Sequence, residues 1–207
     1  MEEVTIIIGK TVNGIVGVYE RRPSLNDEFI VQITDGLLVL VHGELQKGLS
    51  LVKGILHKNP TNDVVDITDY LRAELAKTYD EAIHGYIGIF ILGYDNEGFP
   101  QVFGTSSPDF PFRRFDPIGT TDASMIPKYI WTILFHRGLD LNKASEVLSF
   151  TLTQELSTGL ARTCQYGVCQ ITPGKTVFLS DNDLQALRLK NSNAFNKIKE
   201  DNAFLFC

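Results

Sequence analysis

The residues able to do chemistry are few and scattered. Four histidines, His42, His57, His84 and His136, share no spacing that would pair them on one metal. They read as ordinary partly buried or surface side chains, and no metal site is expected. Three cysteines, Cys164, Cys169 and Cys207, form an odd set without zinc-type spacing. Cys169 sits in a strand-like segment and reads as a buried structural thiol. Sparse cysteine suits a reducing, cytoplasmic setting. Neither a glycine-rich phosphate loop nor a dinucleotide fingerprint occurs, so no cofactor is expected. The segment Pro108–Phe115 mixes aromatic side chains with Arg113 and Arg114. It suits a contact surface, where such residues are enriched; its plainer reading is a β segment with one buried face. The apolar end Ala203–Cys207 would dock on this domain or on a neighbouring subunit.

Such residues need elements to hold them. The chain has 207 residues, 43% of them hydrophobic and 21% charged. That is enough apolar material for one substantial core, and a single domain over 1–207 is expected. The net charge of −6 and the absence of a basic stretch argue against nucleic acid and anionic membrane as partners. No apolar run reaches membrane-spanning length. The acidic start Met1-Glu2-Glu3 is unlike the positive start of a secretory signal.

The first forty residues read as β. Thr5–Gly9 and Ile15–Tyr19 are apolar and β-branched, and Asn13-Gly14 is a hairpin dipeptide. Phe29–Ile33 and Leu37–Val41 form a second pair across Asp35-Gly36. Helices are expected over 43–58, ended by Asn59-Pro60, and over 66–83, with the stripe Ile67, Tyr70, Leu71, Leu75, Tyr79 and Ala82. Strands return at Tyr86–Tyr94, Val102-Phe103 and Phe112–Phe115. Helices over 122–137 and 142–157 follow, then a hairpin of Gly167–Ile171 and Thr176–Leu179 across Pro173-Gly174. The C-terminal segment is polar and ambiguous. Strands and helices come in pairs rather than alternating singly. That order favours antiparallel sheets with helices packed outside them, an α+β fold.

The order resembles the proteasome subunit family of N-terminal nucleophile hydrolases. Thr5-Ile6-Ile7-Ile8-Gly9, Asn13–Val18 and Glu20-Arg21-Arg22 are similar to that family's opening hairpin. Asp35–Val39 followed by Gly43 resembles its strand entering the first helix. Gly93-Tyr94-Asp95 with Gly98 resembles its glycine-tyrosine-aspartate hairpin. Pro117–Thr121 stands where the family has a glycine-serine pair, and Thr176–Ser180 resembles its last strand. The resemblance covers nearly the whole chain through weak motifs in the right order. It implies a four-layer αββα sandwich of two antiparallel sheets flanked by helix pairs.

The resemblance also implies a chemistry against which the residues can be checked. Active members use an N-terminal threonine hydroxyl as nucleophile and its free amine as base. Thr5 would be that nucleophile, Glu20 the acidic neighbour, and Thr120 or Thr121 the supporting hydroxyl. Met1–Val4 would first have to be removed. Counting back from Glu20 instead sets Val4 at the nucleophile position. Ile30 falls where the family carries lysine, and Thr163 where it carries a carboxylate. Two charged roles are thus empty. The expected function is a non-catalytic, proteasome-subunit-like protein acting in assembly or interaction, as a homo-oligomer or with a protein partner. The alternative is an autoprocessed threonine hydrolase that cleaves peptide or amide bonds through Thr5.

Overall fold

A computed structural model describes residues 4–21, 29–57, 63–120, 134–158 and 165–201, without the side chains of 120, 154–158 and 198–201. Among the described residues the protein is a mixed α+β structure with two antiparallel five-stranded sheets and five helices.

The first sheet has the order β10-β9-β2-β1-β8. Its strands are β1 (Ile6–Thr11), β2 (Gly14–Arg21), β8 (Ile118–Thr120), β9 (Gln165–Thr172) and β10 (Lys175–Phe178). The second has the order β3-β4-β5-β6-β7, from β3 (Ile30–Thr34), β4 (Leu37–Gly43), β5 (Ile87–Tyr94), β6 (Pro100–Ser106) and β7 (Arg113–Arg114). The helices are α1 (Leu45–Leu56), α2 (Val64–Thr78), α3 (Glu81–His84), α4 (Leu141–Thr158) and α5 (Asp181–Asp201).

Successive strand residues point to opposite faces, and β1 is apolar on both. Ile6 and Ile8 face one core with Tyr19, Cys169, Leu40, Phe90 and Leu92, so that core includes residues of both sheets. Ile7 faces a second core with Val16, Val18, Tyr166 and Val168, closed by Ala144, Val147, Leu148 and Leu152 of α4 and Leu184 of α5. α1 and α2 pack on the second sheet, where Gly48 of α1 lies against Val41 and Ile87. Each fully buried isoleucine of β1 contributes roughly 1.5–3 kcal/mol, which fixes the register of the strand.

Local chemistry sets the element ends, and several differ from expectation. The first turn is Val12-Asn13, with Thr11 paired to Gly14. The Thr11 hydroxyl accepts the Asn13 N–H at 3.2 Å and donates to the Gly14 carbonyl at 3.2 Å. Gly14 belongs to the strand, and a side chain there would strike the Ile171 carbonyl of β9. The turn Asp35-Gly36 falls where expected, as do Asp95–Gly98 and Pro173-Gly174. The expected helix over 66–83 is two helices. Asp63 caps α2, accepting from Val65 N (2.7 Å) and Asp66 N (2.9 Å). Tyr79 is extended, and Asp80 starts α3 by accepting from Ala82 N at 2.9 Å. The helix expected over 122–137 and the stop at Asn59-Pro60 fall largely outside the described residues.

The polar C-terminal segment is the 21-residue helix α5. Ser180 and Asp183 form a reciprocal cap: Ser180 N–H donates to Asp183 Oδ2 (3.2 Å), and Asp183 N–H to Ser180 Oγ (3.3 Å). Its docking face is largely polar. Asn191 donates to Ser149 Oγ at 3.0 Å, and Arg188 stacks 5.3 Å from the Tyr166 ring centroid. No helix among the described residues is long and apolar enough to cross a membrane.

Glycines separate tight from open packing. A methyl group at Gly167 would overlap the Tyr19 ring opposite it, whereas one at Gly54 on α1 meets nothing within 4 Å. Gly167→Ala is therefore expected to destabilise the fold by about 1–3 kcal/mol. Gly54→Ala should be neutral or stabilise by up to about 1 kcal/mol through helix propensity. Urea unfolding midpoints of the two variants measure the difference.

Candidate functional site

Two places merit comparison as sites: the start of β1 and the cleft at the end of β4. At the first, the ladder continues beyond Ile6, since Glu20 N–H donates to the Thr5 carbonyl at 2.9 Å. Thr5 and Glu20 therefore stand opposite one another, and opposed residues share a face. That face carries Ile7, Val18 and Tyr166 and looks toward α4 and α5. Val4 has the other parity. It is 2% exposed and belongs to the core that includes residues of both sheets.

Ile30 lies in the other sheet, opposite Leu40, and packs on the core that holds Val4. It also lines a cleft of about 270 Å³ with Tyr19, Arg21, Gln32 and Phe178, which neither Thr5 nor Glu20 lines. The fold thus sets Thr5 and Glu20 opposite one another in the first sheet and Ile30 in the second. Thr120 ends β8 with its backbone opposite Ile7; its side chain, like all of Thr121, Thr163, Cys164 and Cys207, lies outside the described residues. Arg21 is paired with Asp181 at 3.1 Å. Cys169 is fully buried opposite Gly17, and burial pushes its thiol up to about 12, so it stays protonated and unreactive at neutral pH.

The second place was not legible as a site in the sequence. His42 interrupts the apolar run of β4 one residue before its end. It faces a cleft of about 250 Å³ with Tyr86, Phe90, Ser106, Arg113 and Phe115. The rings follow one another. His42 lies 5.9 Å from Tyr86 and 6.0 Å from Phe90, nearly parallel to the latter, and Phe90 lies 5.6 Å from Phe115. Gly88 makes this possible, because any side chain there would occupy the space of the imidazole. The sequence signal was a lone polar residue inside Leu37–Val41 and Gly43, facing a glycine on the adjacent strand.

His42 is 7% exposed, and burial holds its pKa down at about 4, so the ring is neutral at physiological pH. A neutral imidazole offers one donor and one acceptor. No cluster of His, Cys, Asp and Glu able to hold a metal occurs among the described residues. The arrangement can hydrogen-bond a polar group between aromatic walls.

The burial of His42 has a stability consequence with a definite sign. Its folded pKa lies below its unfolded value near 6.5, so the unfolded chain takes up the proton first. The neutral imidazole contributes stability above about pH 6.5, and that stability is lost as pH falls toward 4. The full effect is on the order of 3 kcal/mol. An NMR titration should find His42 neutral down to about pH 4. An ordinary midpoint near 6.5 in the folded protein would contradict its burial.

The sequence was also compared with known proteins: no family model matches it, and no curated protein matches it significantly.

Proposed function

We propose that the protein is a non-catalytic, proteasome-subunit-like assembly or interaction protein with the αββα sandwich of that family. The fold side of this reading is supported by helices α1 and α2 packing on one sheet, α4 and α5 on the other, and a core that includes residues of both sheets. The observation that carries the functional side is the divided parity at the start of β1. The residue that joins the core between the sheets is the apolar Val4, and the hydroxyl of Thr5 belongs to the opposite face. Ile30, which packs on the same core, supplies no charge. Freeing the Thr5 amine would excise Val4, a buried core residue, before any chemistry began.

Self-association is part of the proposal. Large apolar side chains stand exposed on outer helices: Val65 (39%) on α2, Ile83 (61%) on α3 and Leu189 (65%) on α5. The helix layers of this family pack between subunits, and these single apolar side chains lie on the helices that would form those layers. The alternative, a threonine hydrolase, needs Thr5 to turn toward the other sheet after removal of Val4.

Light scattering is expected to find an oligomer, and a strictly monomeric species at high protein concentration would count against the assembly role. Fluorogenic peptides should show no turnover above background with the wild type, and Thr5→Ala should change nothing. Turnover that vanishes in Thr5→Ala would establish the hydrolase instead.

A further inference from the structure

We infer that the cleft at the end of β4 is a binding site for a small aromatic monocarboxylate, with His42 and Arg113 as its polar contacts. This is independent of whether the chain descends from proteasome subunits.

The first support is the position of His42. The residue lines the cleft, and neither ring nitrogen has a hydrogen-bond partner among the described residues, while both remain accessible from the cleft. A ligand atom in the cleft can therefore use the donor or the acceptor of the neutral ring. Because the imidazole is neutral, it can donate to a carboxylate oxygen without carrying charge.

Charge sets the sign of the ligand. Among the described residues the cleft lining carries one full charge, the Arg113 guanidinium, and no carboxylate. Arg113 is exposed and has no ion pair among the described residues. A guanidinium of this kind matches the planar, two-oxygen geometry of a carboxylate. A cationic ligand would find no counter-charge there.

Shape sets the body. Tyr86, His42, Phe90 and Phe115 present a succession of rings, which favours stacking or edge contact with a flat ligand. The floor is built for them: a side chain at Gly88 would displace His42, and one at Gly104 would displace Phe115 and come within 2.8 Å of Phe90. At about 250 Å³ the cleft is smaller than pockets that hold drug-sized molecules, so the body is a single ring or its equivalent.

Benzoate is the direct probe, with benzyl alcohol as its uncharged counterpart. Titration followed by NMR at the His42 ring protons is expected to show saturable binding of benzoate, on the order of 1 mM. Arg113→Gln, on an exposed two-residue edge strand, should fold normally and weaken benzoate by about tenfold, as loss of one charge-assisted contact does. It should leave the weaker binding of benzyl alcohol unchanged. No saturable shift at His42 with benzoate would overturn the inference. So would equal benzoate affinity in the wild type and Arg113→Gln.

Discussion

Strand β1 is the constraint on which the rest of the structure depends. It lies inside the first sheet, between β2 and β8, and buries apolar side chains on both faces. Ile6 and Ile8 serve the core that includes residues of both sheets, and Ile7 serves the core beneath α4 and α5. A shift of one residue would exchange every one of these contacts at once. The register is therefore not adjustable, and neither is what precedes it. Val4 belongs with Ile6 and Thr5 belongs with Ile7. The chemistry that the first strand can perform is decided by packing, because the hydroxyl and the core-facing position are one residue apart.

Close approach between backbone and rings is the second recurring device. Gly17 leaves room for the Cys169 sulfur, Gly167 for the Tyr19 ring, and Gly88 for His42. Each is a cross-strand arrangement in which one strand gives up a side chain so that its neighbour can lie flat. In the interior this yields dense packing. At the end of β4 the same device lays a polar ring beside a cleft, so a packing solution becomes a place where a ligand can be held. Tyr94 behaves similarly at the opposite end of the strands. Its hydroxyl reaches toward the carbonyls of Asn13 and Ile171 at 3.5 Å, and its burial pushes the phenol up to about 12.

Much of the β structure was legible because its signals are local. Apolar runs of five to eight residues, bounded by Asp35-Gly36, Asp95–Gly98 and Pro173-Gly174, marked strands and turns directly. What escaped depended on distant neighbours or on quieter signals. Gly14 looked like a turn residue, but its missing side chain answers to β9, more than 150 residues away. The break between α2 and α3 hides within an unbroken apolar stripe and shows only in the cap at Asp80. α5 lacks a broad apolar face, so periodicity was uninformative; the Ser180–Asp183 cap was the available signal. His42 could not be told from an ordinary histidine without knowing that Gly88 stands beside it. The parity of Val4 and Thr5 was open by one residue in the sequence, and only the pairing of Ile6 with Tyr19 and of Thr5 with Glu20 assigns their faces.

That assignment is the centre of the account, and stability measurements on two truncations test it most directly. Val4→Ala removes methyl groups from a fully packed core and is expected to cost about 1–3 kcal/mol. Thr5→Ala removes a half-buried side chain from the other face and should cost less, about 0.5–1 kcal/mol. Urea unfolding of both variants under one set of conditions compares them. The larger loss in Val4→Ala agrees with valine, not threonine, occupying the core that includes residues of both sheets. The reverse order would mean that Thr5 faces that core, and the non-catalytic reading would lose its structural basis.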